Sequence, residues 1–216
     1  SEIHTDSLGR VKIQFHWDRL GTLDEASSPW IRVMSGWAGN SFGQICLPRV
    51  GDEVVVMFLD GNVDHPIIIG SVYNATHMPP WELPANKTQS GILSRSTNEG
   101  RYSQANAIRF DDRKDHEQLW LHAERNQLTE VENDEDKWVG NDRRKTIDRD
   151  ETTNVKRDRT ETVGHDEKIT VHNDRAERVD RNEDIDIGGN RSEHVGGNDK
   201  VQIDAKAKAL ERGPAP

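Results

Sequence analysis

The chain has little of what builds an ordinary globular core or a membrane anchor. Cys46 is the single cysteine among 216 residues, 32% of the residues are hydrophobic, and no run of 18 apolar residues occurs. A lone cysteine excludes an intrachain disulfide and is typical of assembly in a reducing compartment. Without a long apolar run, we expect no membrane-spanning helix. The low hydrophobic content permits one modest globular domain plus an extended part.

Basic residues are scarce relative to acidic ones. The chain has 29 Lys and Arg against 39 Asp and Glu, a net charge of −10. This balance opposes nucleic acid or an anionic membrane as a stable partner. The N-terminus carries no signal-peptide pattern, and we expect a chain that begins at Ser1 instead of methionine to be part of a longer protein.

What the sequence does have is a ladder of β-branched aliphatic residues, here called rung residues, at a fixed spacing of eight. The rung residues are Val131, Val139, Ile147, Val155, Val163, Val171, Val179, Ile187, Val195 and Ile203. An acid or its amide, here called a turn residue, follows three positions after nine of them: Asp134, Asp142, Asp150, Asp158, Asp166, Asp174, Asn182, Asn190 and Asn198. Such a period indicates one object built from a repeated unit.

The period of eight excludes the familiar repeat architectures. A coiled coil needs apolar residues every 3.5 positions or an eleven-residue repeat, and calcium-binding β-rolls repeat every nine. Residues 131–202 hold 20 acidic and 14 basic residues, a composition common in disordered chains. Disorder, however, gives no reason for valines to keep a register. We therefore interpret each octad as a short strand plus a turn, with the rung residue pointing inward.

One copy of this ladder cannot form its own core. Ten buried Val and Ile side chains contribute roughly 15–30 kcal/mol, whereas ordering the backbone of some 70 residues costs on the order of 70–140 kcal/mol. The ladder must therefore be completed by other copies of itself. Homo-oligomerisation follows from this comparison, but the number of copies does not.

A second pattern, here called the charge ladder, lies four residues after the rungs and alternates in sign. Its members are Glu135, Arg143, Glu151, Arg159, Glu167, Arg175, Glu183 and Arg191, followed by Asp199. We expect this ladder to run along the outside of the assembly, where stacked rungs would bring opposite charges near each other. A plain solvated charged face is an equally good interpretation.

The whole chain divides into four parts, one of which is the octad-repeat part. Residues 1–73 alternate five short apolar segments with turn signals, which predicts a small closed barrel. Residues 74–122 form a connector with short strands, residues 123–204 form the octad-repeat part, and residues 205–216 are a tip or a tail. The predicted class is all-β.

Motifs along nearly the whole chain carry a resemblance to a known family. They are Gly9-Arg10-Val11-Lys12, Phe15-His16-Trp17-Asp18, Trp30-Ile31-Arg32-Val33, Trp37-Ala38-Gly39, Pro48-Arg49-Val50-Gly51-Asp52-Glu53-Val54, Gly70-Ser71-Val72-Tyr73-Asn74, Thr88-Gln89-Ser90-Gly91-Ile92 and Ile108-Arg109-Phe110-Asp111-Asp112. With the octads, they resemble the valine-glycine repeat protein G family, the spike of bacterial type VI secretion, and its relatives in contractile phage tails. Two departures are the turn Gly61-Asn62-Val63-Asp64-His65-Pro66 and the low glycine content of the octads.

The resemblance implies a fold, a role and a set of partners. The fold is an oligosaccharide/oligonucleotide-binding (OB) type five-stranded barrel followed by a long intertwined three-stranded β-helix, a homotrimeric needle. The role is mechanical: a contracting sheath drives the spike through a target envelope, whose membrane it contacts transiently. The implied partners are the tube protein and an N-terminal hub region at the base, and a PAAR-type tip protein or effectors at the C-terminal end. Assembly in the bacterial cytoplasm is followed by secretion.

Three other functions compete with this one. An OB-type binding module for nucleic acid is disfavoured, since residues 1–73 carry nine acidic and five basic residues. A phage-like hub with hydrolase activity would carry that activity outside this sequence, because the connector is too short for a hydrolase core. No enzyme site, cofactor or metal set is expected. A trimer would nevertheless turn any inward histidine into three ligands on an axis, which leaves an axial ion open.

Overall fold

A computed structural model describes residues 1–203 and has almost only β structure in them. The elements are β1 (Arg32–Val33), β2 (Val54–Phe58), a 3-10 turn (Leu59–Gly61), β3 (Pro66–Ser71), β4 (Gln89–Leu93), β5 (Ala107–Asp111) and β6 (Gln118–His122). No α-helix occurs among these residues, which confirms the predicted class. The chain divides after Val139 into two units. The predicted tip or tail, residues 205–216, lies outside the described residues.

The first sheet has the order β1-β3-β2. Strand β1 runs parallel to β3, and β2 runs antiparallel to β3 with a bulge between Val55 and Val56. The 3-10 turn closes the β2–β3 hairpin through two residues with positive φ, Asp60 at 53° and Gly61 at 69°. Of the Gly-Asn pair in this turn, Gly61 thus lies where the backbone adopts the left-handed region, whereas Asn62 has φ of −86°.

The core of residues 1–73 is small and lies on one side of this sheet. Val11, Ile31 and Ile68 are buried, and Val54 and Val56 pack against them. Val11 and Ile31 exchange backbone hydrogen bonds of 2.9 and 2.8 Å. Strand β2 is apolar on both sides, with Val54, Val56 and Phe58 half-buried and Val55 and Met57 exposed.

Two of the five predicted barrel segments differ from regular strands. The segment at Val11 pairs through a single bridge to Ile31, and residues 45–47 form no strand. Ile45 is exposed, and Pro48, which lacks an N–H donor, follows this segment directly. An exposed segment without a neighbouring strand has no hydrogen-bond partner that would hold it extended.

The second sheet is an antiparallel meander of order β4-β5-β6. The sequence predicts β5 and β6 within residues 107–123 but not β4, because Gln89-Ser90-Gly91 has low strand propensity. Gly91 has φ of +141°, and a Cβ there would lie 2.1 Å from the backbone oxygen of Ile108. Only glycine allows β4 to pair with β5 at this point.

An ion pair within residues 1–73, between Arg49 and Glu2, also forms hydrogen bonds to the loop after β4. The Arg49 guanidinium donates to the Glu2 carboxylate over 2.6 Å and to the carbonyl oxygen of Arg95 over 2.5 Å. The N–H of Asn98 donates to the other Glu2 oxygen over 2.7 Å. The hydrogen bond from Arg49 is the main reason that the pKa of Glu2 lies below its ordinary value. These contacts position the second sheet relative to the first.

The octads repeat one backbone conformation. A bend occurs one and two residues after each of nine rung residues, at 132–133, 140–141, 148–149, 156–157, 164–165, 172–173, 180–181, 188–189 and 196–197. A segment of six residues without a bend follows each of the first eight bends and ends on the next rung residue. We infer that these segments are extended, because side chains two positions apart contact each other in them, as Arg159 and Glu161 do. Residues 123–203 form no strand pairs within this one chain, so their extended backbone groups lack the partners that a sheet would supply.

Candidate assembly interface

The rung residues share one environment. From Val131 to Val195, each is 43–50% exposed, and the terminal rung Ile203 is 79% exposed. Nine side chains with nearly the same exposure indicate that the octad is a structural unit and not only a sequence pattern. In a single chain no rung is buried, so each of these aliphatic side chains keeps an exposed surface. Whether these side chains face an assembly axis stays a prediction.

The extended segments determine which residues share the side of each rung. Side chains alternate between the two sides of an extended chain. The positions two and four residues before a rung therefore lie on its side, here called the rung face. Contacts between side chains two positions apart support this geometry: Arg159 to Glu161 at 2.5 Å and Arg175 to Glu177 at 2.9 Å.

The charge ladder lies on this rung face, because each member is four residues before the next rung with no bend between them. Charge-ladder side chains in ion pairs are 48–65% exposed. On the other side, Asp150, Asp158 and Asp166 are 89–91% exposed, but the equivalent Asp142 is 58% exposed. Exposure alone therefore does not separate the two sides, and the predicted position on the outside stays a prediction.

Several charge-ladder residues form ion pairs within the chain. Glu135 contacts Lys137 at 2.6 Å, Glu151 contacts Lys145, and Arg191 contacts Glu193 at 3.2 Å. Within residues 1–203, no member of the charge ladder pairs with another member. Pairing between two members of the charge ladder therefore requires other copies of the chain, whereas the pair of Lys145 with Glu151 already joins two successive octads within one chain.

The turn residues lie directly after the bends. Each occupies the first position of an extended segment, for example Asp134 after the bend at 132–133. The bend itself uses the two preceding positions. Gly164 and Gly196 have φ outside the left-handed region there, and a Cβ added to either would meet open space. Glycine is thus not required at the bends, which agrees with the charged residues found there in other octads, such as Lys156.

A surface that the sequence did not reveal is one face of the second sheet. Ile92, Ile108 and Leu121 lie side by side across β4, β5 and β6, and Phe110 pairs with Leu119. All five are 45–66% exposed, and they form what is here called the apolar sheet face. On the opposite face, the Arg109 guanidinium lies 4.9 Å from the Trp120 ring centre. The alternation in β6 was visible in the sequence, but the register with β4 and β5 was not.

The apolar sheet face is large for an apolar surface that is exposed to solvent. Five large apolar side chains in contact on one surface are uncommon on a monomer and typical of an interface. Ala123, the residue from which the octad spacing can be counted, is half-buried and follows β6 directly. The apolar sheet face and the first rung residues therefore follow one another along the chain.

The first sheet also borders a cavity of about 750 Å³. Phe15 and Trp17 stack with ring centres 4.6 Å apart, and Phe58 lies 6.1 Å from Phe15. Acidic residues, including Glu25 and Asp52, also line the cavity. Aromatic rings beside carboxylates do not form the basic, aromatic groove that single-stranded nucleic acid requires.

The described residues offer little for metal or covalent chemistry. Among residues 1–203, no group of three or more His, Cys, Asp or Glu side chains is arranged to hold a metal ion. Cys46 is exposed. No helix in this part of the chain has the length and apolar character needed to cross a membrane.

Comparison with known proteins matches the N-terminal and C-terminal parts of the chain to two domain families. Residues 90–203 match the family model of the bacteriophage T4 gp5 C-terminal trimerisation domain. Residues 2–73 match the type VI secretion system/phage-baseplate injector OB domain. The OB-type barrel predicted for this region is thereby confirmed at the level of the domain family, and the first match covers the apolar sheet face together with every rung residue.

Similar curated proteins are spike proteins of Pseudomonas aeruginosa. The chain is 58% identical to type VI secretion system spike protein VgrG1c and 57% identical to VgrG1b, each over 147 residues, which is 68% of this chain and 20% of the relative. It is 54% identical to VgrG1a over 140 residues, which is 65% of this chain and 22% of the relative. The chain thus spans about a fifth of the length of these relatives.

Proposed function

Because the chain belongs to the family of the bacteriophage T4 gp5 C-terminal trimerisation domain, we propose that it is part of a type VI secretion spike that assembles as a homotrimer. Its role is structural, without catalysis and without a cofactor. The three copies form a rigid needle that transmits force from a contracting sheath to a target envelope. The similarity to curated spike proteins supports this role.

The observation that carries the proposal is that two sets of apolar side chains, the apolar sheet face and the rung residues, stay about half exposed in one chain. Ile108 and Leu121 are about half exposed, as are the rungs from Val131 to Val195. A closed point group such as a three-fold axis brings the same surface of each copy to the same place. Both apolar rows then become buried without any additional partner.

The backbone supplies a second argument. Extended segments without strand partners in one chain gain those partners when copies wind around each other, as in an intertwined β-helix. In this arrangement no copy can unfold without unwinding from the others. We assign residues 1–73 as the collar, 74–122 as the connector and 123–204 as the needle. The rung residues face the axis, the charge ladder brings opposite charges of successive octads together, and the turn residues follow the corners.

The proposed partners follow from the two ends of the spike. The tube protein and an N-terminal hub region lie at the base. A PAAR-type tip protein or effectors lie at the C-terminal end, and the target membrane is contacted transiently. Assembly takes place in the bacterial cytoplasm, and the spike leaves the cell on firing. The similarity to secretion-system spike proteins supports these assignments as a group.

The experiment that tests the proposal targets the apolar sheet face. Ile108→Ser with Leu121→Ser should lower the trimeric fraction measured by light scattering and, placed in the producing bacterium, should reduce release of the spike into the medium. The control is Leu20→Ser with Leu23→Ser, which changes two exposed leucines in a loop of residues 1–73. Equal trimer content and equal release in both variants would contradict the proposal.

A further inference from the structure

From Val155 onward the octads alternate between two types, so the repeat on the rung face is sixteen residues and not eight. Three octads carry arginine on the charge ladder and glutamate two positions later: Arg159 and Glu161, Arg175 and Glu177, Arg191 and Glu193. The three octads between and after them carry an acid and then an aliphatic residue: Glu167 and Ile169, Glu183 and Ile185, Asp199 and Val201. The rung residues alone do not distinguish these two types.

The structure repeats the same contact at every sixteenth residue. The arginine and glutamate of each pair contact each other at 2.5, 2.9 and 3.2 Å, and their side chains are 58–65% exposed in all three octads. Within residues 1–203, the intervening acids Glu167, Glu183 and Asp199 form no ion pair. From Arg159 onward, every second charge-ladder position is therefore a carboxylate without a cationic partner among the described residues of its own chain.

The aliphatic residues of the acidic octads follow the same sixteen-residue repeat. Ile169 and Ile185 lie two positions before a rung, hence on the rung face, and both are 61% exposed. An octad of the acidic type thus presents two aliphatic groups and one carboxylate. An octad of the arginine type presents one aliphatic group and an arginine already paired with glutamate. The rung face alternates between more apolar and more ionic layers.

This alternation affects how copies can align. If one copy slid by eight residues along the others, every rung except the last would still meet a rung, so the rung ladder alone tolerates the slip. In the intertwined arrangement, each octad of one copy stacks along the axis on the next octad of a neighbouring copy, so an arginine octad stacks on an acidic one. The same slip would stack arginine octads on arginine octads and acidic octads on acidic octads. Like charges held close together on partly desolvated surfaces are unfavourable. A slip of sixteen residues restores the charges but leaves two rungs unmatched.

We propose that this sixteen-residue repeat selects the register in which three copies assemble, with each arginine of one copy bridging its own glutamate and the unpaired acid of a neighbouring copy. The guanidinium has enough donors to serve two carboxylates. The partner is therefore a second copy of this chain, held at the flank of the rung face. The inference rests on the proposed homotrimer and adds what determines its alignment.

The test measures register directly. In a Cys46→Ser background, Ser192→Cys carries one spin label per copy, and double electron–electron resonance gives the distances between copies. The parent should be a trimer with one distance. Glu167→Arg with Glu183→Arg makes the charge ladder uniformly basic from Arg159 to Arg191, and it should produce a second, longer distance from slipped copies while the trimer mass is retained.

Two further variants make the result decisive. Asp184→Arg with Asp186→Arg changes the net charge equally, but on the side opposite the rung face, and should keep the single distance of the parent. If the arginine variant does not assemble, Glu167→Gln with Glu183→Gln removes the attraction without adding repulsion and should still show the second distance. A single unchanged distance in the arginine variant, or in the glutamine variant if only that one assembles, would overturn the inference. A parent without any distance between copies would instead refute the homotrimer itself.

Discussion

Replacing two neighbouring rung residues with aspartate, Val163→Asp with Val171→Asp, should prevent assembly. Both valines are about half exposed in one chain, so burial in a trimer removes about half of each side chain from water. Full burial of a valine is worth about 1.5–3 kcal/mol, and the six half-burials therefore contribute roughly 5–9 kcal/mol per trimer. Six carboxylates near one axis add a desolvation penalty of several kcal/mol per ion. The loss exceeds the stability of a typical domain.

The assay combines mass with thermal unfolding. Light scattering should show the parent as a trimer and the variant at lower mass. Circular dichroism should show a large drop in the midpoint temperature of thermal unfolding for the variant. Thr162→Asp with Thr170→Asp is the matched control, since each threonine precedes a rung and lies on the opposite side of the extended segment. A smaller change, Val163→Ala with Val171→Ala, should give an intermediate midpoint. If the aspartate variant at the rungs matches the threonine control in mass and midpoint, the assignment of the rung face is wrong.

Two further predictions concern the second sheet. Gly91→Ala should destabilise the chain by about 1–3 kcal/mol in denaturant unfolding, because the positive φ and the nearby backbone oxygen of Ile108 oppose a Cβ. The control Gly70→Ala places a Cβ in open space and should change the stability little. Equal effects of the two substitutions would contradict this explanation of β4. The pKa of Asp111 is held below its ordinary value, chiefly by the hydrogen bond from Thr88, so its stabilising contribution is present above pH 3.8 and is lost as the pH falls through the lowered pKa. The difference in unfolding midpoint between the parent and Asp111→Asn should therefore shrink as the pH falls below 3.8 and through the lowered pKa. A difference that does not depend on pH would refute this role.

The octad architecture could be predicted from the sequence because its signal does not depend on tertiary context. Rung residues eight apart define the unit, and the bends found one and two positions after each rung keep that spacing. The class and the strands around Ile108 and Leu121 were predictable for the same reason, since local alternation and strand propensity agree there.

What could not be predicted depends on register and on the position of the bend. Each charge-ladder residue lies four positions after one rung and four positions before the next, but the bend lies only between it and the preceding rung. Alternation of side chains therefore relates it to the next rung and not to the preceding one. The side on which the charge ladder lies can be assigned only once the bend is located. Strand β4 was hidden by Gly91, whose role depends on close approach of β5. The apolar sheet face needed the pairing of three strands, which no local pattern contains.

Sedimentation of the purified chain tests the homotrimeric needle most directly. We expect a mass near three times the 24.5 kDa of one chain. The frictional ratio should lie well above that of a compact sphere. A compact species with the mass of one chain would mean that the octads bury their rung residues and pair their backbone groups within a single copy. That result would contradict the trimer, the needle and the register inference together.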